Sequence, residues 1–535
     1  MLPDNRTFLI GLDGYEVSFA DKMMNQGELP SLKSIKENSA RFLLEHGSAK
    51  RTGLAFEHIS SGLSPNAGNR WSAIYFDKDN YRAWQEDVRF EPFTKHLSAK
   101  AVVFDTPYFD IEKDSRVRGI VAWGAHDPGT KLASHPPSLL DEMTTRFGHY
   151  PAQDWIYGFA WPSADKCQAM GEQLTQAVQR RTEVIRWLFK ERLPDWDLGF
   201  TVISELHSAS EGLWHGIDPQ HPLHQLPSSS AAANGFKEVY RAVDRLLGDI
   251  LKNFPKVTLV CFSMHGMGPN ESDVTSMALL PELLYRRSFG KRMIRPRPEW
   301  LSATGGVPLL AEGELWHIPL AYPSIDQRLK YKLIETLTPL AKRVLARNSP
   351  GLLKLARSSR LAWMPAAHYQ PHWKNMTAFA LPAFYDGRIR VNLQGRESHG
   401  LVSPDHYREF CEELSMFLMR CTDPHTGKPV VRNIVHSVKS DPLDIEASES
   451  DMTIEWNGAA LAIEHPELGV IGPLPYRRPG GHTGHYGVTY ISGPAVKPGD
   501  YGVRSSFDVT PSVFDLLGET YNSGLSGNSF IHQIY

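Results

Sequence analysis

The segment FLIGLDG, residues 8–14, limits what this chain can become more than any other. Phe8, Leu9 and Ile10 form a short unbroken apolar run, which reads as a strand buried on both faces, and such strands belong to parallel sheets covered by helices. Gly11 and Gly14 bracket Asp13 where the backbone must turn. An acid therefore stands at the strand's carboxyl end, the edge at which open α/β sheets bind their ligands. The plainer role for such an acid is to cap a turn.

Strand-like runs recur at 101–104, 199–204, 258–263 and 488–491, mostly separated by helical patterns, of which 167–192 and 232–254 are the clearest. Strands alternating with helices predict an α/β fold, a mainly parallel sheet sandwiched by helices. Glu205, His207 and His265 then fall at the same edge as Asp13. With 535 residues there is room for this core and for insertions. The irregular stretch 66–189, with DTPYFD and WGAHDPG, reads as an insertion lining the site, and 269–385, rich in Pro, Arg and Trp, reads as a cap. Residues 1–65, 190–268 and 386–535 read as core.

Net charge is -3, so no basic field exists to hold nucleic acid. Four scattered cysteines, none in a C-x-x-C pair, argue against a disulfide scaffold and fit a reducing compartment. The first fourteen residues lack the basic and apolar zones of a secretory leader, and no apolar stretch approaches the ~20 residues of a membrane span. The expectation is a cytoplasmic enzyme without a membrane or nucleic-acid partner; oligomeric state stays open.

Thr52 sits in a T-x9-G-x2-P frame ending at Pro65, which places a hydroxyl at the start of a helix running from about Leu54. A helix N-cap is the bland account of it. With FLIGLDG, this frame resembles the alkaline phosphatase superfamily, and within it the type I phosphodiesterase/nucleotide pyrophosphatase branch. There the aspartate binds a divalent metal and the Thr or Ser attacks phosphorus or sulfur.

Further segments carry the resemblance in family order. SMHG, 263–266, stands for S-D-H-G: His265 takes the ligand position, while Met264 replaces a metal-binding aspartate with a thioether, a poor ligand for hard or borderline ions. The stretch 203–224 is similar to D-x3-H-x2-W-x3-D; aligned on Trp214 and Asp218, it puts His207 at the aspartate and Glu211 at the histidine, with Glu205 a rival ligand. RRPGGHTGHYGVTYISGP, 477–494, resembles the late H-x3-G-x5-G-P element, with His482 one residue out of place and His485 as its competitor. VNLQGRE (391–397) and the closing VRSSFDVTPSVFDLLG (503–518) complete the set.

The resemblance implies one ion at Asp13 and His265 and another at His207, Glu211 and His482, with Thr52 between them as metal-activated nucleophile. Zinc is favoured, as one or two ions, with manganese or magnesium as alternatives. Arg51, Glu57, His58, His126 and Arg478, together with Arg477, are candidate contacts for an anionic small-molecule or glycan-linked ester, and Glu57 or His58 could replace the missing carboxylate. The function implied is a metal-dependent hydrolase or transferase acting on a phosphate or sulfate ester. The departures at Met264, His207/Glu211 and His482 keep a metal-depleted binding protein or altered enzyme open, and a phosphoglycerate mutase-like isomerase is a third reading.

Overall fold

The computed structural model describes residues 6–303, 307–311, 363–521 and 524–535, with 314, 316, 320 and 361 as single positions. The rest of the expected cap, within 304–362, lies outside the described residues.

Among these residues, nine strands form one sheet. Their order is Gly499–Ser505, Ala40–Glu45, Tyr486–Ser492, Thr258–Ser263, Thr7–Leu12, Leu198–Ile203, Ala101–Phe104, Arg118–Val121 and Ala133–His135. The central strand, Thr7–Leu12, is parallel to both neighbours, with Leu12 beside Ile203 and Gly11 beside Phe262. Only Tyr486–Ser492 and Ala133–His135 run against the rest.

Side chains alternate across a strand. Phe8, Ile10 and Leu12 accordingly enter one hydrophobic cluster and Leu9 another. Helices Ala164–Arg186, Glu205–Ile217 and Ser229–Asn253 contribute to the first, Ala55–Ser61 and Val509–Leu517 to the second, so both faces are covered. Ser229–Asn253 shows how: Phe236, Val239, Tyr240, Val243, Leu246, Leu247 and Ile250 recur at helical spacing and are buried. Each large apolar side chain so buried contributes roughly 1.5–3 kcal/mol. The mainly parallel sheet covered by helices on both faces, expected from the sequence, is the one present.

The parallel strands end together. Asp13, Ser204 and Met264 follow directly on Leu12, Ile203 and Ser263. Because Tyr486–Ser492 is antiparallel, its amino-terminal approach, residues 478–485, arrives at that same edge. So does His46, which follows Ala40–Glu45.

Contacts group the chain into two units, one of residues 1–71, 87–270 and 478–535, the other of 72–86 and 271–477. These boundaries differ from the expected segments. Within 66–189, three strands join the large sheet: Ala101–Phe104, which the sequence marked as strand-like, and Arg118–Val121 and Ala133–His135, four and three residues long and too short to show a period in sequence. Residues 386–477 group with the second unit, which holds a four-stranded antiparallel sheet of Ala378–Leu381, Gly387–Val391, Met452–Trp456 and Val431–His436. VNLQGRE lies there, where Arg396 forks onto both Asp451 oxygens at 2.9 Å. No helix among the described residues is long and apolar enough to cross a membrane.

Gly14 has a φ of 76°, and a Cβ on it would lie 2.3 Å from the His207 Cα. Gly27 has a φ of 77° with nothing within 4 Å. Gly27→Ala should therefore cost only the left-handed backbone penalty, about 1 kcal/mol in denaturant melts. Gly14→Ala should cost distinctly more, because it also drives helix Glu205–Ile217 off the central strand's end. Equal costs would show that this contact yields freely.

Candidate active site

Every residue of the site belongs to the first unit. His207 and Glu211 lie one turn apart on Glu205–Ile217 and so share a face. His207 Nε2 is 3.0 Å from His482 Nε2 and 3.3 Å from Glu211 Oε1. His126, from the loop after Arg118–Val121, brings its Nε2 to 3.7 Å from Glu211 Oε1. His126, His207 and Glu211 each offer a ligand atom within 4.8 Å of the other two. Ligands at zinc distances on a tetrahedron stand about 3.3 Å apart. This set of imidazoles and one carboxylate therefore fits zinc or a similar borderline divalent ion in both chemistry and spacing.

The Asp13 end is different. Asp13 Oδ2 is 2.9 Å from His207 Nδ1, and His265 Nε2 is 3.3 Å from His482 Nδ1. Both expected ligands are thus joined to the histidine cluster. Met264 is buried in the apolar cluster with Ile59 and Phe262 and supplies no carboxylate. His482, not the exposed His485, is the histidine that reaches the site.

Thr52 is buried at the end of a turn spanning Gly47–Thr52, and the helix beyond begins at Ala55 with Leu54 as its cap. Gly53, with a φ of 73°, separates the two and removes Thr52 from the N-cap position the sequence suggested. Its Oγ1 donates to the Ala49 carbonyl at 2.8 Å and accepts from the Leu54 N–H at 3.1 Å. Among the described residues it has no hydrogen bond to Asp13 or His265.

Glu57 and His58 are buried on the next turn but committed elsewhere. Glu57 pairs with the Arg70 guanidinium and accepts the Arg89 N–H at 2.7 Å. His58 Nδ1 meets His46 Nε2 at 3.0 Å, and His46 Nδ1 meets Ser506 Oγ at 2.5 Å. Neither Glu57 nor His58 joins the metal-capable cluster. Arg478 does approach it, forming an ion pair with Glu211 Oε1. Arg51 is only partly buried, on the Thr52 turn. Arg477 binds Asp273 at 2.7 Å in the second unit. Glu205, the rival ligand, is taken up by Arg181 at 2.8 Å.

Burial sets the protonation states. It pushes the imidazoles of His126 and His58 down to about 3, with His207 adding to the first and Arg70 to the second. It pushes His265 to about 4 and holds His482 and His46 well below the usual histidine range, neighbouring histidines adding to the effect. These rings are neutral at pH 7 and keep lone pairs for a cation. Burial also lowers the Arg478 guanidinium to about 10, opposed by Asp127.

Sequence reasoning placed His126 among substrate contacts, not metal donors, and missed His46 and Ser506. The signal for His126 was WGAHDPG itself, a His beside an Asp in a glycine-bounded loop.

A family model described as type I phosphodiesterase/nucleotide pyrophosphatase matches residues 7–305. No curated protein sequence matches the chain. Among solved structures, wild-type alkaline phosphatase PafA superposes with a TM-score of 0.53 at 11% identity, over 100% of this chain and 99% of that one. Phosphonoacetate hydrolase from Sinorhizobium meliloti 1021, in complex with phosphonoformate, gives 0.48 at 13% identity over 96% of each chain. Human ectonucleotide pyrophosphatase/phosphodiesterase 5 gives 0.46 at 12% identity, over 98% and 97%. The PafA likeness is one of fold.

A histidine whose folded pKa lies below its unfolded value of 6.5 takes up a proton on unfolding, so acid favours the unfolded chain. This stability is full above that value and is lost progressively as pH falls from 6.5 toward 3. Urea midpoints of metal-stripped protein should therefore drop between about pH 7 and pH 5. His58→Gln should make the slope shallower. A flat profile would mean that the buried rings protonate without cost.

Proposed function

This chain belongs to the type I phosphodiesterase/nucleotide pyrophosphatase family, and on that premise we propose that it is a metal-dependent hydrolase or transferase of a phosphate or sulfate ester, with Thr52 as nucleophile. One observation carries the metal-dependent reading: His126, His207 and Glu211 converge at metal-ligand spacing, with His482 3.0 Å from His207 and a buried guanidinium beside them, at the carboxyl edge of the sheet. His126, His207, Glu211 and His482 would hold a divalent ion, whose contribution is to polarise the ester oxygens and offset their charge.

The chain's own groups account for the rest. Thr52 Oγ1 forms the new bond to phosphorus or sulfur while the bond to the leaving oxygen breaks; the group then passes to water or an acceptor hydroxyl. The Leu54 N–H already donates to that oxygen, so it favours the deprotonated form, and the hydroxyl proton now shared with the Ala49 carbonyl passes to solvent, from which the leaving oxygen is protonated. Arg478 and Arg51 supply positive charge for the anion. The substrate in this reading is an anionic small molecule or a glycan-linked ester. One observation favours the rival binding-protein reading, namely that Arg478 already pairs with the Glu211 oxygen an ion would use.

Thr52→Ala should lower turnover of an aryl phosphodiester or aryl sulfate by roughly 1000-fold or more. Its stability should fall by only about 1 kcal/mol for the lost hydroxyl contacts. Thr52→Ser should keep part of the rate. Full activity in the Ala variant would remove Thr52 from the chemistry, and comparing the two esters decides between phosphate and sulfate.

A further inference from the structure

The hydrogen bonds around the cluster assign its tautomers. His126 Nδ1 lies 2.7 Å from the Ile156 carbonyl oxygen, so it carries the proton and leaves Nε2 as a lone pair. His265 Nδ1 donates to the Gly266 carbonyl at 3.1 Å; its Nε2 therefore accepts from His482 Nδ1 at 3.3 Å, and His482 Nε2 is also a lone pair. His207 Nδ1 donates to the Asp13 carboxylate, which can only accept. The remaining His207 nitrogen, Nε2, faces His482 Nε2 at 3.0 Å and Glu211 Oε1 at 3.3 Å. A divalent ion among these atoms, or a proton on His207 Nε2, satisfies the arrangement, with the Arg478 guanidinium already paired to the Glu211 oxygen.

Resting on the metal-dependent reading above, we infer that this is a single-ion centre whose ligands are His126 Nε2, His207 Nε2, His482 Nε2 and Glu211 Oε1, and that Asp13 and His265 serve those ligands instead of holding a second ion. Each donor is anchored through its other polar atom: His126 by Ile156, His207 by Asp13, His482 by His265, and Glu211 by the Gly158 N–H at 3.2 Å. Such outer hydrogen bonds fix ring orientation and raise ligand basicity. The two-ion arrangement implied by the family resemblance would need Asp13 and His265 free to bind and a carboxylate at 264. Here Asp13 Oδ2 is taken by His207 and His265 Nε2 by His482, and Met264 faces an apolar cluster, so a second ion would find only Asp13 Oδ1 among these expected ligands. Arg478, paired with Glu211, provides the centre's second positive charge.

The test is a zinc titration of metal-stripped protein by calorimetry, with cobalt(II) as a spectroscopic stand-in. The expected result is one ion per chain and the intense visible bands of tetrahedral cobalt. His126→Ala should weaken zinc binding by about 100-fold or more, and Asp13→Asn by about 10–100-fold with the count still one. Met264→Leu should leave the count at one. Two ions per chain, or unchanged affinity in a folded His126→Ala protein, overturns the inference; so does no zinc binding, which would leave a proton shared between His207 and His482. If His126→Ala fails to fold, His126→Gln and the Asp13→Asn stoichiometry decide. Turnover is read separately: one ion per chain with a fully active Thr52→Ala protein sinks the nucleophile reading and keeps the site, whereas two ions with Thr52-dependent turnover do the reverse.

Discussion

Arg181 ties together the elements that carry the cluster. Fully buried on helix Ala164–Arg186, it reaches Asp105 at 2.9 Å and Glu205 at 2.8 Å. Asp105 ends a strand and accepts the N–H groups of Gly124 and Ala125 at 3.1 and 3.2 Å, which sets the loop bearing His126. Glu205 opens the helix bearing His207 and Glu211, where the helix dipole favours an acid. The guanidinium also lies 5.4 Å from the ring centroids of Phe104 and Trp123, so its charge meets aromatic faces where carboxylates are absent. Removing one partner from such a buried set typically costs about 3–5 kcal/mol, because an uncompensated charge stays behind.

What that frame holds is a cluster of buried imidazoles with one carboxylate, Glu211. His207 stands where an aspartate is expected and Glu211 where a histidine is. Exchanging their types keeps one anionic donor on the helix while moving it one turn along. Glu211 carries the cluster's carboxylate beside Arg478, and Asp13 accepts from His207 Nδ1. Met264, where the resemblance expects an aspartate, packs its apolar side chain in the cluster with Ile59 and Phe262. These departures are mutually consistent, as changes within one electrostatic unit must be.

The site was legible in sequence where chemistry is carried by spacing along one element. His207 and Glu211 share a helical face at any register of the fold, and Asp13 and His265 follow directly on strands whose apolar runs mark them. His482 was legible through its flanking glycines. The approach of His126 to His207 and Glu211 was not legible, because it depends on Asp105 and on an irregular loop with no periodic signal. For Thr52 the frame is legible in spacing, but the contacts of its hydroxyl with the Ala49 carbonyl and the Leu54 N–H depend on the left-handed turn at Gly53, which spacing does not show.

The sequence by itself determined the layered α/β architecture, since two-sided burial of 8–12 and amphipathic patterns at 167–192 and 232–254 admit few other arrangements. It also determined that acids and histidines collect at the strands' carboxyl edge, because they directly follow the apolar runs. Only the tertiary structure decided which atom of each side chain faces which. Whether Asp13 meets an ion or a histidine, and whether His126 belongs with His207, turns on distances of a few tenths of an ångström between segments far apart in the chain, and local residue chemistry carries no information on those.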